Sequence, residues 1–341
     1  MNRRTVLAAL AGAPAFAHWP AELDPGPGPF SFDVPPGTYR VSAALGSRAA
    51  AAQTGLQVEA RRTVLATVDT AAGEVRHESV TVNVRTPESM PTGEEGPGTP
   101  GLQVYLTGGT PALAGLRVTP EPGARQLFIV SDSTASDWLV GPKRGWGQEF
   151  PQLFRAGLSI ANYADSGEST VSWLADPTLF ATVQPLVRPG DEVLIQLAHN
   201  DKTTPEDVYR ANLGTLIDGV RARQGRPVLV TPPVRHLFAA DGTLTPTGRV
   251  VNNLGVDLPA VLRDVAARQG IPLLDLTARS QALLESLGPD GSWSLYLTVA
   301  HDGVQDASHF SGYGATVMAG LVAGEMRRVR LPAAGYLRQP C

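Results

Sequence analysis

The chain has 341 residues, 43% hydrophobic and 18% charged, with a formal net charge of −4. This length and balance fit a globular protein of two domains and exclude both a disordered chain and a single small core. If Arg3 and Arg4 leave with a leader, the charge becomes −6 (26 basic against 32 acidic), which gives no basic stripe for nucleic acid and confines any polyanion recognition to local groups.

Residues 1–17 read as a signal peptide. Asn2-Arg3-Arg4-Thr5 supplies the positive region, Val6 to Ala13 the apolar run, and Ala15-Phe16-Ala17 a small-x-small cleavage site. The order of these parts argues against the competing reading, a first helix of the folded domain. A secreted or periplasmic protein is expected. The adjacent arginines fit twin-arginine export, with ordinary secretion as the alternative. No other stretch approaches the ~20 apolar residues of a membrane span, so none is expected after leader removal. The single cysteine, Cys341, excludes an internal disulfide and a thiolate-built metal site. No cysteine follows the apolar run to carry a lipid anchor.

Residues 18–122 are expected to form an accessory domain, and from about residue 28 to 120 they carry the two-residue period of strands. Tyr39-Arg40-Val41-Ser42-Ala43, Gln57-Val58-Glu59-Ala60, Ser79 to Val84 and Leu116-Arg117-Val118-Thr119 alternate apolar with polar. Pro35-Pro36-Gly37 and Gly108-Gly109 punctuate them as turns, and Glu88 to Gly101 reads as an exposed loop. The expectation is an antiparallel β-sandwich, jelly-roll-like.

The period changes at Gln126. Leu127 to Val130, Ser159 to Tyr163, Val193 to Leu197, Val228 to Val230 and Pro272 to Leu276 are continuous apolar runs, as parallel strands covered on both faces require. Helical stretches, notably Pro205 to Gln224, Arg249 to Gln269 and Gly312 to Val329, lie between or after them. Residues 123–330 are therefore expected to form an α/β domain with a doubly wound parallel sheet and its site at the carboxyl ends of the strands. Residues 331–341 are left as a C-terminal tail, and no internal repeat is evident.

The chemistry-bearing residues fall at those strand ends. Ser133 follows the first strand directly, where an α/β enzyme can expose a nucleophile. Taken alone, Asp132 and Ser133 fit a helix or turn cap as well. Far downstream, Asp306 and His309 stand three residues apart, so one turn could hold the carboxylate against the imidazole and complete a base for a serine. Gly167, after the second strand, can bring its backbone N–H close to a ligand, although alone it is an ordinary turn glycine. After the third strand the Asn200 amide could donate to an oxyanion. His199 beside it is read as loop support, since no other ligand-type residues fall at metal spacing around it. His236, at the mouth of the fourth strand, is a candidate for substrate contact or loop support. His301 with Asp302 forms a competing pair, but Asp302 lies seven residues before His309 and a surface role fits His301 better. His18 and His77 are given no function.

Together these segments resemble the SGNH, or GDSL-type, hydrolases, and within them the rhamnogalacturonan acetylesterase-like group. Ser131-Asp132-Ser133 is similar to the first block, Gly167 to the second, Ala198-His199-Asn200-Asp201 to the third and Asp306-Ala307-Ser308-His309-Phe310 to the last. Thr231-Pro232-Pro233-Val234-Arg235 and Pro272 to Ser280 extend the likeness, which covers about residues 126 to 328. The resemblance implies a flavodoxin-like SGNH fold, with Ser133 as nucleophile, His309 as base and Asp306 orienting it. It also implies an oxyanion hole from the N–H groups of Ser133 and Gly167 and the Asn200 amide. No cofactor and no metal are implied. Ser131 and Ala198 stand where the family usually has glycine; each adds a Cβ that is harmless at ordinary φ and costly at φ > 0.

The expected activity is removal of acetyl groups from a polysaccharide, rhamnogalacturonan, pectin-like or another acetylated glycan, through a Ser-His-Asp triad and an acetyl-enzyme. Three rivals stand beside it: an esterase or lipase of the same fold acting on other acyl esters, a catalytically disabled carbohydrate-binding protein, and a metal-dependent hydrolase. The N-terminal domain resembles galactose-binding-like jelly rolls, with glycan binding and simple packing as equal readings. The oligomeric state and the acetylated position are not legible.

Overall fold

The computed structural model describes residues 4–5, 28–59, 61–85 and 99–339. The leader reading, apart from Arg4–Thr5, most of the Glu88–Gly101 loop and Cys341 lie outside the described residues.

The N-terminal unit holds β1 (Arg4–Thr5), β2 (Phe30–Phe32), β3 (Gly37–Leu45), β4 (Ala52–Val58), β5 (Arg62–Thr70), β6 (Arg76–Val84), β7 (Leu102–Thr110) and β8 (Leu113–Pro120). One sheet runs β1-β2-β7-β4-β5 and the other β6-β3-β8, antiparallel throughout except for the short β1–β2 pair. Alternate residues point inward, so Val41 and Val82 of one sheet and Leu56, Val58 and Val104 of the other share one buried apolar core. The expected turn at Gly108-Gly109 is instead part of strand β7. Gly108 has φ 110°, and a Cβ there would sit 2.1 Å from the Gln53 carbonyl oxygen. The glycine thus permits a close backbone approach beside the register shift at Gln53/Gly55.

The second unit has a five-stranded parallel sheet of β9 (Arg125–Ser131), β10 (Leu158–Asn162), β11 (Glu192–Gln196), β12 (Arg226–Val230) and β13 (Leu273–Leu274), in the order β10-β9-β11-β12-β13. Its helices are α1 (Trp146–Glu149), α2 (Thr170–Ala175), α3 (Phe180–Val183), α4 (Glu206–Ala222), α5 (Leu258–Gln269), α6 (Leu276–Gly291), α7 (Val299–Asp302) and α8 (Gly312–Arg328). A short antiparallel pair, β14 (Tyr296–Leu297) with β15 (Asp306–Phe310), precedes α8. The continuous apolar runs have the physical cause expected of them. Leu127 and Ile129 pack on one face with Met318, Val322 and Met326 of α8. Phe128 and Val130 pack on the other with Leu213, Leu216 and Val220 of α4 and Leu262 of α5. Both faces are buried under apolar side chains, so the strand period vanishes from the sequence.

Helix α5 begins nine residues later than the Arg249 start suggested by the apolar pattern. Val250 has φ 63°, the Asp257 side chain caps the backbone N–H of Ala260 at 2.9 Å, and Pro259 occupies the first turn. Likewise Leu276, placed in the last strand by the sequence, opens α6, with Asp275 as its cap to Ala278. After α8 the chain folds back: Leu331, Ala333 and Leu337 join the core, and the Ala333 N–H donates to buried Glu192.

Tight glycine contacts close the loop that follows β9. A Cβ on Gly145 would lie 2.2 Å from the Ser136 carbonyl oxygen, and one on Gly147 2.5 Å from that of Ala135. Gly145→Ala should therefore destabilise the fold by about 1–3 kcal/mol in chemical denaturation, because backbone must shift to admit the methyl group. An unchanged midpoint would contradict this packing.

Candidate active site

Strand β9 delivers Ser133 to the carboxyl edge of the sheet, beside the point where the chain leaves for opposite sides of the strand order. The turn there is held from within. Asp132 Oδ1 accepts from the Thr134 N–H at 3.0 Å and the Thr134 hydroxyl at 2.7 Å, and Ser136 Oγ donates to the Asp132 carbonyl at 3.1 Å. Gln196, at the end of β11, donates to Thr134 Oγ1 and accepts from the Trp146 indole, both at 2.8 Å. The Trp138 indole donates to the carbonyl of Ser133 itself at 3.1 Å.

The Asp306–His309 turn closes over this loop. Asp306 Oδ1 accepts from the backbone N–H groups of Ser308 (2.8 Å) and His309 (3.0 Å), which leaves Oδ2 for His309 Nδ1 at 2.7 Å. His309 Nε2 lies 2.9 Å from Ser133 Oγ. A proton on Nδ1, facing the carboxylate, leaves Nε2 with its lone pair toward the hydroxyl, the arrangement needed to remove the serine proton. Trp138 meets the His309 ring edge-on at 5.8 Å between centroids. The turn is fixed on its outer side by the His236 N–H to the Ala307 carbonyl (2.7 Å) and the Arg144 N–H to the Phe310 carbonyl (3.1 Å). Partial burial pushes the Asp306 carboxyl up, but the His309 ring and the two backbone donors outweigh it and hold the group well below the ordinary carboxylate value.

Gly167 lies in the turn after β10 with φ 84°, a conformation that disfavours a side chain. The Asn200 amide, after β11, donates to the Glu168 carbonyl at 3.0 Å and so ties the two loops together. Asp201 anchors the same junction by accepting from the Thr170 hydroxyl (2.6 Å) and the Thr204 hydroxyl (3.0 Å). The Trp173 indole of α2 donates to the Ser131 carbonyl at 3.0 Å, linking the helix that follows the Gly167 loop to the end of β9.

His199 lies below the site. Its Nε2 is 2.9 Å from the Pro233 carbonyl and its Nδ1 3.4 Å from Asp132 Oδ2. Burial pushes the Asp132 carboxyl up, yet His199 and the Thr134 donors leave it below its ordinary value. His236 is enclosed by Trp293, Phe238 and Tyr296, with Nε2 2.8 Å from the Pro289 carbonyl, and its backbone N–H braces the Asp306–His309 segment. His301 is exposed on α7, where Thr298 caps its N–H. Arg235, which periodicity did not single out, donates to the His199 carbonyl at 2.9 Å, and its charge is felt by both Asp132 and Asp306. Among the described residues no group of three or more His, Cys, Asp or Glu side chains could hold a metal ion, and no helix is long and apolar enough to cross a membrane.

The two departures from glycine are explained by the backbone. Neither Ser131 nor Ala198 has positive φ, so their Cβ atoms meet no conformational penalty. Ser131 Oγ is fully buried without a hydrogen-bond partner among the described residues. An unpaired buried hydroxyl costs about 1–3 kcal/mol, so Ser131→Ala should match or exceed the parent in denaturant midpoint. A clear loss of stability would reveal a partner for that hydroxyl. The pH dependence of stability supplies a second check. Because folding lowers the Asp306 value, its ionised form stabilises the fold fully above about pH 4 and loses that contribution as pH falls through the lowered value. The stability gap between the parent and Asp306→Asn should narrow in acid; a gap independent of pH would contradict the lowered value.

A model of the GDSL-like lipase/acylhydrolase family matches residues 132–316, more than half of the chain. Rhamnogalacturonan acetylesterase RhgT of Bacillus subtilis is 33% identical over 225 residues, which span 62% of this chain and 94% of that protein. The probable rhamnogalacturonan acetylesterase YesY of the same organism is 26% identical over 218 residues, 61% of this chain and 95% of that one. The crystal structure of YxiM from Bacillus subtilis superposes with a TM-score of 0.56 at 22% identity, covering 89% of this chain and 81% of that one, and so shares the fold. With the matched residues running from the Ser133 turn through the His309 turn, the chain belongs to the GDSL-like lipase/acylhydrolase family.

Proposed function

We propose that the protein is a serine-dependent carbohydrate acetylesterase, acting on an acetylated polysaccharide of the rhamnogalacturonan or pectin type. The observation that carries this reading is the hydrogen-bonded relay Ser133–His309–Asp306, 2.9 Å and 2.7 Å long. The substrate class is supported by the relatives named above, which are called rhamnogalacturonan acetylesterases.

In the proposed reaction His309 Nε2 takes the Ser133 proton as Oγ attacks the acetyl carbonyl. The N–H groups of Ser133 and Gly167 and the Asn200 amide hold the developing oxyanion; Asn200 Nδ2 has two N–H donors, so one can stay on the Glu168 carbonyl while the other meets the substrate. The imidazolium, stabilised by Asp306, returns the proton to the departing sugar hydroxyl and leaves an acetyl group on Ser133. Water then repeats the sequence, releasing acetate and restoring the serine. No metal or cofactor enters these steps.

The arrangement of the chain follows as part of the same reading: a leader over 1–17 directing secretion or periplasmic export, an accessory unit over 18–122, a catalytic unit over 123–330 and a terminal segment over 331–341. Two antiparallel sheets around one apolar core support a jelly-roll-like accessory unit. The charge, apolar run and small-x-small order at the N-terminus support export.

Acetate release from acetylated rhamnogalacturonan, pectin and xylan tests the proposal. Ser133→Ala should abolish release while the fold is retained. Asn200→Ala should lower kcat by about a hundredfold or more, the usual effect of losing one oxyanion donor. Full activity in Ser133→Ala would remove the nucleophile assignment. Release from longer acyl esters but from none of the glycans would replace the substrate class.

A further inference from the structure

The turn carrying Ser133 runs directly into a buried ionic cluster shared by the two units. Asp137, 1% exposed, accepts from the Asn162 amide at 2.7 Å. Its other oxygen, Oδ2, faces Arg62 Nε at 3.3 Å and Arg85 Nη2 at 3.5 Å. Both arginines come from the N-terminal unit, Arg62 opening β5 and Arg85 directly following β6. They are themselves 2% and 7% exposed. Arg62 also reaches Glu59 at 3.3 Å and the Asn83 carbonyl at 3.1 Å, so two buried cations meet two buried carboxylates. Arg85 donates to the Asn162 carbonyl and stacks over Tyr163, its guanidinium 4.7 Å from the ring centroid.

Several contacts of this cluster continue into the segment that follows Ser133. Asn162 donates to the Ala135 carbonyl at 2.8 Å as well as to Asp137, fixing the chain two and four residues after Ser133. Trp138, next to Asp137, bonds the Ser133 carbonyl and faces the His309 ring. Arg61, in the turn directly before β5, donates to the Gly141 carbonyl at 3.0 Å, and its own carbonyl accepts from Arg144 at 2.8 Å, so the far end of the same loop is held by the N-terminal unit as well. Buried ion pairs contribute little net stability against their desolvation cost, and one well-attested use of them is to select a single arrangement.

We propose that Arg62 and Arg85 are positioning residues for the reaction: the N-terminal unit clamps Asp137 and thereby sets Ser133 and Trp138 against His309. This rests on the assignment of Ser133 as nucleophile and assigns the accessory unit a part in the chemistry. The expected signature is a loss in kcat with little change in KM, because a small displacement of a nucleophile weakens the transition state without removing a substrate contact.

The experiment uses the full chain and p-nitrophenyl acetate, whose hydrolysis does not depend on glycan recognition. Arg85→Ala should lower kcat by about a hundredfold while KM stays within about threefold. The charge-free variant Glu59→Gln/Arg62→Met/Arg85→Met/Asp137→Leu neutralises both buried carboxylates together with both cations and retains side-chain volume, so it is expected to fold and still to show the kcat loss. As a control, Arg338→Ala breaks a different contact between the units, Arg338 to Glu78 at 3.3 Å, and should leave kcat unchanged. A folded charge-free variant with the parent kcat overturns the proposal. Failure of that variant to fold overturns it equally, by making the cluster a requirement of folding. Parent activity on p-nitrophenyl acetate with no acetate released from any glycan would instead defeat the substrate reading and leave the clamp standing.

Discussion

The hydrogen bond between Ser133 and His309 spans 176 residues of sequence and is the contact on which the site depends. Two chain segments with no local reason to meet must be held within a few tenths of an ångström. The protein achieves this by tying each end down separately. On the serine side, Asp132, Gln196 and Trp138 fix the turn after β9. On the histidine side, Asp306 satisfies two backbone donors of its own turn before its second oxygen reaches the imidazole. The carboxylate therefore shapes the loop and orients the ring at once.

The sheet supplies the setting. A parallel sheet buried on both faces places the loops after β9, β10 and β11 at one edge, and the strand order puts the first and third side by side at the switch point. Those loops are polar and largely buried, so their groups must find partners within the protein. His199 between Asp132 and the Pro233 carbonyl, Asp201 on Thr170 and Thr204, and Asn200 on the Glu168 carbonyl are the result. Pairing of this kind leaves few orientations open to the reactive groups.

What could be read from the sequence follows the range of the forces involved. The strands β9 to β12 were legible because burial on both faces leaves an unbroken apolar run. The spacing of Asp306 and His309 was legible because one turn of chain decides it. The start of α5 was not: Asn252 and Asp257 organise a capped loop whose apolar residues imitate helical spacing. Gly108 reads as a turn for a similar reason, since a glycine that admits a neighbouring backbone looks the same in sequence as a glycine in a turn. Arg62 and Arg85 gave no signal at all. Asp137, which they pair with, lies in the other unit, 52 residues beyond Arg85, and an arginine in an alternating strand reads as a solvated side chain until the second unit covers it.

The central claim is that Ser133 is a nucleophile activated by His309. Labelling with a fluorophosphonate, followed by peptide mass spectrometry, tests it most directly, because the reagent traps an activated serine and leaves the other hydroxyls unmodified. The account requires one adduct per chain, on Ser133, and its disappearance in His309→Ala. An adduct on another residue, no adduct at all, or labelling of Ser133 at the parent rate in His309→Ala would contradict it.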